Sequence, residues 1–162
     1  MSFRYIAAFV LWSALTPAAF GQQTSEVVKE ETVRSVDGNG KIAGGQKTVT
    51  RESTTNGSHQ VVTETYSSNI PGVALDFDSL ELAERTRVTT TPMTNGGRQT
   101  ITEIEARVPL ETRIMMQLTA REVETVRQIA PGVWETQRQT FRLDNYGRLA
   151  LIMDEKETAI EK

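Results

Sequence analysis

A chain of 162 residues, 38% hydrophobic and only 6% aromatic, has the length of one domain but little material for a large dry core. Its 21 acidic residues outnumber its 18 basic ones, and both signs are scattered with no basic block, which argues against a nucleic-acid partner. There is no cysteine, so disulfides are excluded, as is a lipoprotein anchor attached at a cysteine.

The first residues read as an address. Arg4 is a short positive start, Ile6 to Leu15 is a compact apolar run, and Thr16-Pro17 breaks it. Ala19-Phe20-Gly21 then puts small residues at the two positions a signal peptidase recognises, predicting cleavage before Gln22. The expected organisation is a signal peptide over 1–21, a polar lead-in over 22–26 and a single β-repeat domain over 27–162. Removing 1–21, which hold one base and no acid, leaves 141 residues with a net charge of −4. An exported chain without cysteine fits a bacterial periplasm or the extracellular medium better than a eukaryotic secretory route. No later segment is apolar enough to cross a membrane as a helix.

The elements follow in order. Val27 to Val36 alternates apolar and polar residues and stops at Asp37-Gly38-Asn39-Gly40. Lys41 to Thr55 is a second extended run, with Gly44-Gly45 marking a bulge or weak point. Asn56-Gly57 turns the chain into Ser58–Ser68, where Val61, Thr63 and Thr65 face one way and Val62, Glu64 and Tyr66 the other. Ile70-Pro71-Gly72 interrupts, and Val73 to Ser79 connects, with a helical turn as an option over 78–84. Leu80–Thr91 and Arg98–Arg107 form the clearest hairpin, around Asn95-Gly96, a dipeptide suited to the positive φ angles of a tight turn. Pro109 is expected to end that section. Leu110 to Ala130 is rich in helix formers, yet its alignment with the other runs favours a strand over Ile114–Ile129. Pro131-Gly132 and Asp144-Asn145-Tyr146-Gly147 then bound the last two runs, Trp134–Leu143 and Arg148–Thr158.

The turns repeat. Gly57 to Gly96 is 39 positions and Gly96 to Gly132 is 36, and similar Thr/Val/Arg runs precede each glycine. Lys47-Thr48-Val49-Thr50-Arg51, Arg85-Thr86-Arg87-Val88-Thr89 and Val123-Glu124-Thr125-Val126-Arg127 align before them. Asp37-Gly38-Asn39-Gly40 is echoed by Asp144-Asn145-Tyr146-Gly147 as a second turn type. The expected fold is all-β: about eight strands in repeated antiparallel hairpins, an up-and-down meander forming either an extended twisted sheet or a loosely closed barrel. With units reading Thr-Val-x-Arg, Asn-Gly and then an alternating Thr run, the chain resembles exported bacterial β-hairpin-repeat proteins of uncharacterised function. That resemblance implies a fold and carries over no activity and no site.

Candidate chemistry is sparse. His59 is the only histidine, and a hydrolase using it with Ser58 and a remote carboxylate, Asp76 or Asp78, is the third and least favoured reading, because adjacent Ser58 points to the opposite strand face. Asp37-Gly38-Asn39-Gly40 starts like a calcium loop, yet Lys41 and Thr48 stand where ligands belong. Asp76-Phe77-Asp78 lacks a nucleotide-binding framework. No catalytic, metal or cofactor-binding residue is therefore expected. The ligand-binding candidates are Trp134, Phe141 and Tyr66, which would line a glycan or lipid pocket if the strands closed into a barrel. Strand faces carrying Glu, Arg and Gln do not suit an outer-membrane barrel. The leading expectation is a non-enzymatic structural or interaction module, self-associating or docking an envelope protein through edge strands Val27–Val36 or Arg148–Thr158.

Overall fold

Thr, Val and Ile recur through the chain at the spacing a pleated strand needs, with glycine-containing turns between the runs. The computed structural model describes residues 5–11, 25–36, 42–67, 80–110 and 113–161. Among these it forms one antiparallel sheet of nine strands in sequence order: β1 (Tyr5–Leu11), β2 (Ser25–Val36), β3 (Ile42–Thr55), β4 (Ser58–Ser67), β5 (Glu81–Pro92), β6 (Arg98–Leu110), β7 (Arg113–Ala130), β8 (Val133–Leu143) and β9 (Leu149–Ile160). Every strand pairs only with its neighbours in the chain, so the meander stays open rather than closing into a barrel. The eight runs read from the sequence reappear as β2 to β9. The ninth strand, β1, lies within the expected signal segment and pairs with β2 from Tyr5↔Arg34 to Leu11↔Val28.

The region rich in helix formers is strand: β7 spans 18 residues, the longest element. Isolated helix propensity is a weak prior, and here two long ladders, to β6 and β8, outweigh it. Glu81 to Glu84 is likewise strand rather than a helical turn, because Glu81, Leu82 and Glu84 pair with β4 and Glu84 also pairs with Ala106 on β6. The β6 ladder also continues past Pro109 to Leu110↔Arg113. In β3 the register shifts opposite Ser35/Val36, where Ala43 has no partner, so the expected irregularity falls next to Gly44. Asp37 to Gly40 and Ile70 to Ser79 lie outside the described residues.

The turns sort by geometry differently from the sequence alignment. Asn56-Gly57 is a two-residue turn with both φ angles positive, 50° and 77°, the mirror-image turn that matches strand twist. The expected tight turn at Asn95-Gly96 is instead a three-residue connection, Thr94–Gly96, closed by Met93 N–H donating to Gly97 O at 2.7 Å. Only Gly96 there needs a positive φ, 73°. The turn before β9 is built the same way: Asp144 N–H donates to Arg148 O at 2.8 Å, and Gly147 has φ 73°. A loop of helical turn residues ending in a left-handed glycine gives the same strand crossing as a mirror-image pair, so either solution serves a meander.

Asp144 also organises that last turn through its side chain. Its Oδ1 accepts from the amides of Tyr146 (2.8 Å) and Arg148 (2.9 Å), and the Arg148 guanidinium sits 5.3 Å from the Tyr146 ring centre. The Arg148 and Tyr146 amides hold the Asp144 carboxyl below its ordinary value of 3.8. Asp144→Ala should speed amide exchange at Tyr146 and Arg148 by several-fold while leaving β4–β6 exchange unchanged. Equal exchange in both variants would show that the turn does not depend on this carboxylate.

The sheet is a single layer with almost no interior. Among the described residues the only buried apolar side chains are Val49 and Ala120, and these lie on opposite faces. What lies on each face must therefore supply the cohesion that a core supplies elsewhere.

Candidate functional site

Directly opposed residues in an antiparallel pair share a face, so the register assigns both surfaces. One face carries the row Glu30–Val49–Glu64–Arg85–Glu105, and beside it Val28–Arg51–Val62–Arg87–Glu103–Arg121–Phe141–Leu151. The other carries Lys29–Thr50–Thr63–Thr86–Ile104–Ala120–Arg142, and beside it Val27–Glu52–Val61–Val88–Thr102–Glu122–Thr140–Met153.

Glu64 is the centre of the first face and the one buried charged residue among those described, at 7% exposure. Arg51 Nη1 donates to its Oε2 at 2.6 Å, Arg85 Nε donates to its Oε1 at 2.9 Å, and the Tyr66 hydroxyl donates to Oε2 at 3.0 Å. Burial alone would raise its pKa; the hydrogen bonds from Arg51, Arg85 and Tyr66 win and hold it at about 2. Arg85 passes the ladder on by donating from Nη1 to Glu105 at 3.0 Å. The neighbouring row repeats the arrangement. Glu103 accepts from Arg87 Nη1 at 3.3 Å and from Arg121 Nε at 3.1 Å, and Arg121 in particular keeps its carboxyl below the ordinary range. Further along, Arg127 pairs with Glu135 at 2.6 Å, and Asp154 accepts from Gln137 (2.9 Å) and Gln139 (3.2 Å). On the opposite face Thr50 and Thr63 hydroxyls lie 3.4 Å apart, and those of Thr90 and Thr100 3.3 Å.

The Glu64 and Glu103 carboxylates each accept from two arginines, and those bonds hold both below the ordinary carboxylate range. They clamp neighbouring strands together. Among the described residues no three His, Cys, Asp or Glu side chains converge as a metal site. His59 and Ser58 do lie on opposite faces: Ser58 donates to Thr91 at 3.3 Å, while His59 Nε2 is 3.9 Å from Glu52. Asp76 and Asp78 fall outside the described residues.

The three aromatic ligand candidates do not meet. Trp134 shares its face with Gln128 and Ala159 and donates from Nε1 to Glu161 at 3.3 Å. Tyr66 and Phe141 occupy the other face, on β4 and β8, about 19 Å apart at the usual strand spacing. A shallow hollow does exist between β8 and β9, but Thr136, Arg138, Glu155, Lys156 and Glu157 line it. The central role of Glu64 was missed in the sequence. Its only local sign is a Glu between threonines on a strand flanked by arginine-bearing strands, and that becomes meaningful once the register is known.

With the faces occupied by ladders, the unsatisfied features are the edges. β9 has one partner, β8, which leaves the outer side of its backbone unpaired within the described sheet. Leu151, Ile152, Met153 and Ile160 on it are all exposed. The opposite edge is β1, and behind it the 12-residue β2. In comparisons with known proteins, the chain matched no family model, no curated protein and no solved structure.

Proposed function

We propose that this chain is an exported, non-enzymatic structural or protein-interaction module of a bacterial envelope, periplasmic or extracellular, that acts through the edges of its sheet. The observation that carries this reading is the exposed β9 edge, which joins unpaired backbone groups to four exposed large apolar side chains on an otherwise charge-laddered sheet. An unpaired strand of this kind is a template for strand addition, in which main-chain bonds supply affinity and alternate side chains supply selectivity.

Proline tests the reading directly. Backbone groups of consecutive strand residues point to opposite sides, so of Lys156→Pro and Glu157→Pro one removes a donor from the free edge and the other from the β8 ladder. The free-edge variant should keep the β signature in circular dichroism yet lose, by at least about tenfold, association measured by light scattering or by cross-linking in cells. Unchanged association in both variants would falsify the edge reading.

A further inference from the structure

We infer that the partner for the β9 edge is β2 of a second copy, joined head to tail, and that β1 covers this acceptor until the leader is removed. The inference rests on the edge reading above and names its occupant. Strands alternate along a meander, so β9 runs the same way as β1, and both run antiparallel to β2. The β9 strand of one copy can therefore take the position that β1 holds beside β2 of another, with the faces of the two sheets in line. β1 lies wholly within residues 1–21, so loss of the leader uncovers β2 along its whole pairing with β1, Val28 to Arg34.

Charge fixes the register. Lys156 shares the charged face with Glu30, and Glu157 shares the threonine-bearing face with Lys29. Sliding β9 so that Lys156 opposes Glu30 also places Glu157 opposite Lys29, Met153 opposite Val33 and Ala159 opposite Val27. Two opposite-charge pairs and two apolar pairs thus form in one register. Glu30 already bonds Lys47 on β3 at 2.9 Å, so Lys156 continues an alternating ladder across the junction. The one like-charge contact in this register, Glu155 with Glu31, has Arg138 beside it on β8 as the cross-strand neighbour of Glu155. Pairing β9 with β9 instead sets Asp154, Glu155 and Glu157 of each copy against a single Lys156, and like charges dominate. The junction is heterologous: each added copy presents a fresh β9, and the product grows as an open filament.

The test compares the chain recovered after export, with its N-terminus read by mass spectrometry, and the leader-bearing chain. The processed chain should lengthen with concentration in light scattering and electron microscopy, and the leader-bearing chain should not. Lys29→Glu and Glu157→Lys, each turning one attractive pair repulsive, should each raise the concentration needed for assembly about tenfold. An equal mixture of the two should assemble like the parent, because every head then finds a complementary tail. Circular dichroism checks that each variant keeps the sheet.

Assembly without rescue on mixing overturns head-to-tail pairing and leaves the edge reading standing. A processed chain that stays monomeric overturns self-assembly, and the proline variants then decide the edge reading separately. Retention of residues 1–21 after export, or equal assembly with the leader attached, overturns the role given to β1.

Discussion

Glu64→Gln is expected to lower unfolding stability by about 2–3 kcal/mol, a loss that urea denaturation at neutral pH measures. The substitution keeps the volume and removes the charge that Arg51, Arg85 and Tyr66 converge on. A buried carboxylate with its partners in place is costly to remove because the partners are left without it. Here Arg51 and Arg85, at 44% and 31% side-chain exposure, can regain water, which keeps the expected loss at the lower end for a broken buried pair. Glu122→Gln provides the contrast. It also removes one partner of an arginine, Arg138 at 3.3 Å, but at 47% exposure it should cost under about 0.5 kcal/mol. Equal effects of the two would show that burial at Glu64 contributes nothing.

The same site predicts an acid response. The folded-state pKa of Glu64 is depressed from 4.5 to about 2, so its contribution is complete above 4.5 and declines as pH falls towards 2. Allowing for water on the Arg51 side, that contribution is roughly 1–3 kcal/mol. Glu103 is shifted in the same direction by Arg121 and Arg87 and adds to the trend. Stability of Glu64→Gln should consequently fall less steeply between pH 4.5 and 2 than that of the parent. Parallel curves would remove Glu64 from the acid response.

Gly97→Ala is the second large expected effect, again about 2–3 kcal/mol in denaturant midpoint analysis. Gly97 has an ordinary φ of −72°, so conformational strain is not the reason. A Cβ there would stand 2.5 Å from the Val126 carbonyl oxygen and 3.3 Å from Arg127 Cα, which is backbone that cannot rotate away. The methyl group would push β6 from β7 at the start of their longest ladder. Gly96→Ala isolates the other kind of glycine. Its Cβ would meet nothing nearer than Trp134 Cη2 at 3.9 Å, but its φ of 73° costs an L-residue about 1–2 kcal/mol. Gly97→Ala should therefore be the more damaging of two adjacent, chemically identical substitutions, and the reverse order would contradict the close approach of the strands.

Much of this fold is written locally. The Thr/Val/Ile alternation places β2 to β9 within a few residues of their observed ends. Asn56-Gly57 and Pro131-Gly132 mark two-residue turns because glycine there takes a positive φ, at 77° and 72°. Even the alternation of Val61, Thr63 and Thr65 against Val62, Glu64 and Tyr66 separates the two faces of β4 correctly, since a pleated strand has a period of two whatever surrounds it. Scattered Glu and Arg with few aromatics already indicated that cross-strand pairs, not a core, would hold the sheet.

What pairs with what was decided only by the tertiary structure. Arg51, Glu64, Arg85 and Glu105 come from four strands, and nothing local says that they fall within one step of a common row. A register slip of one residue would have put Glu64 on the opposite face from its arginines. The three-residue turn at Thr94–Gly96, the strand state of β7 and the separation of Trp134 from Tyr66 and Phe141 are decisions of the same kind. So is the choice of an open sheet over a barrel, because closure depends on whether the first and last strands meet, and that is a property of all the intervening twists and bulges together. Sequence by itself determined the alphabet of strands, turns and ladder residues, because these follow from φ preference and side-chain period. The register, the clamp at Glu64 and the free edge on β9 required strands distant in the chain to be brought side by side, because a pairing energy exists only once both partners are in place.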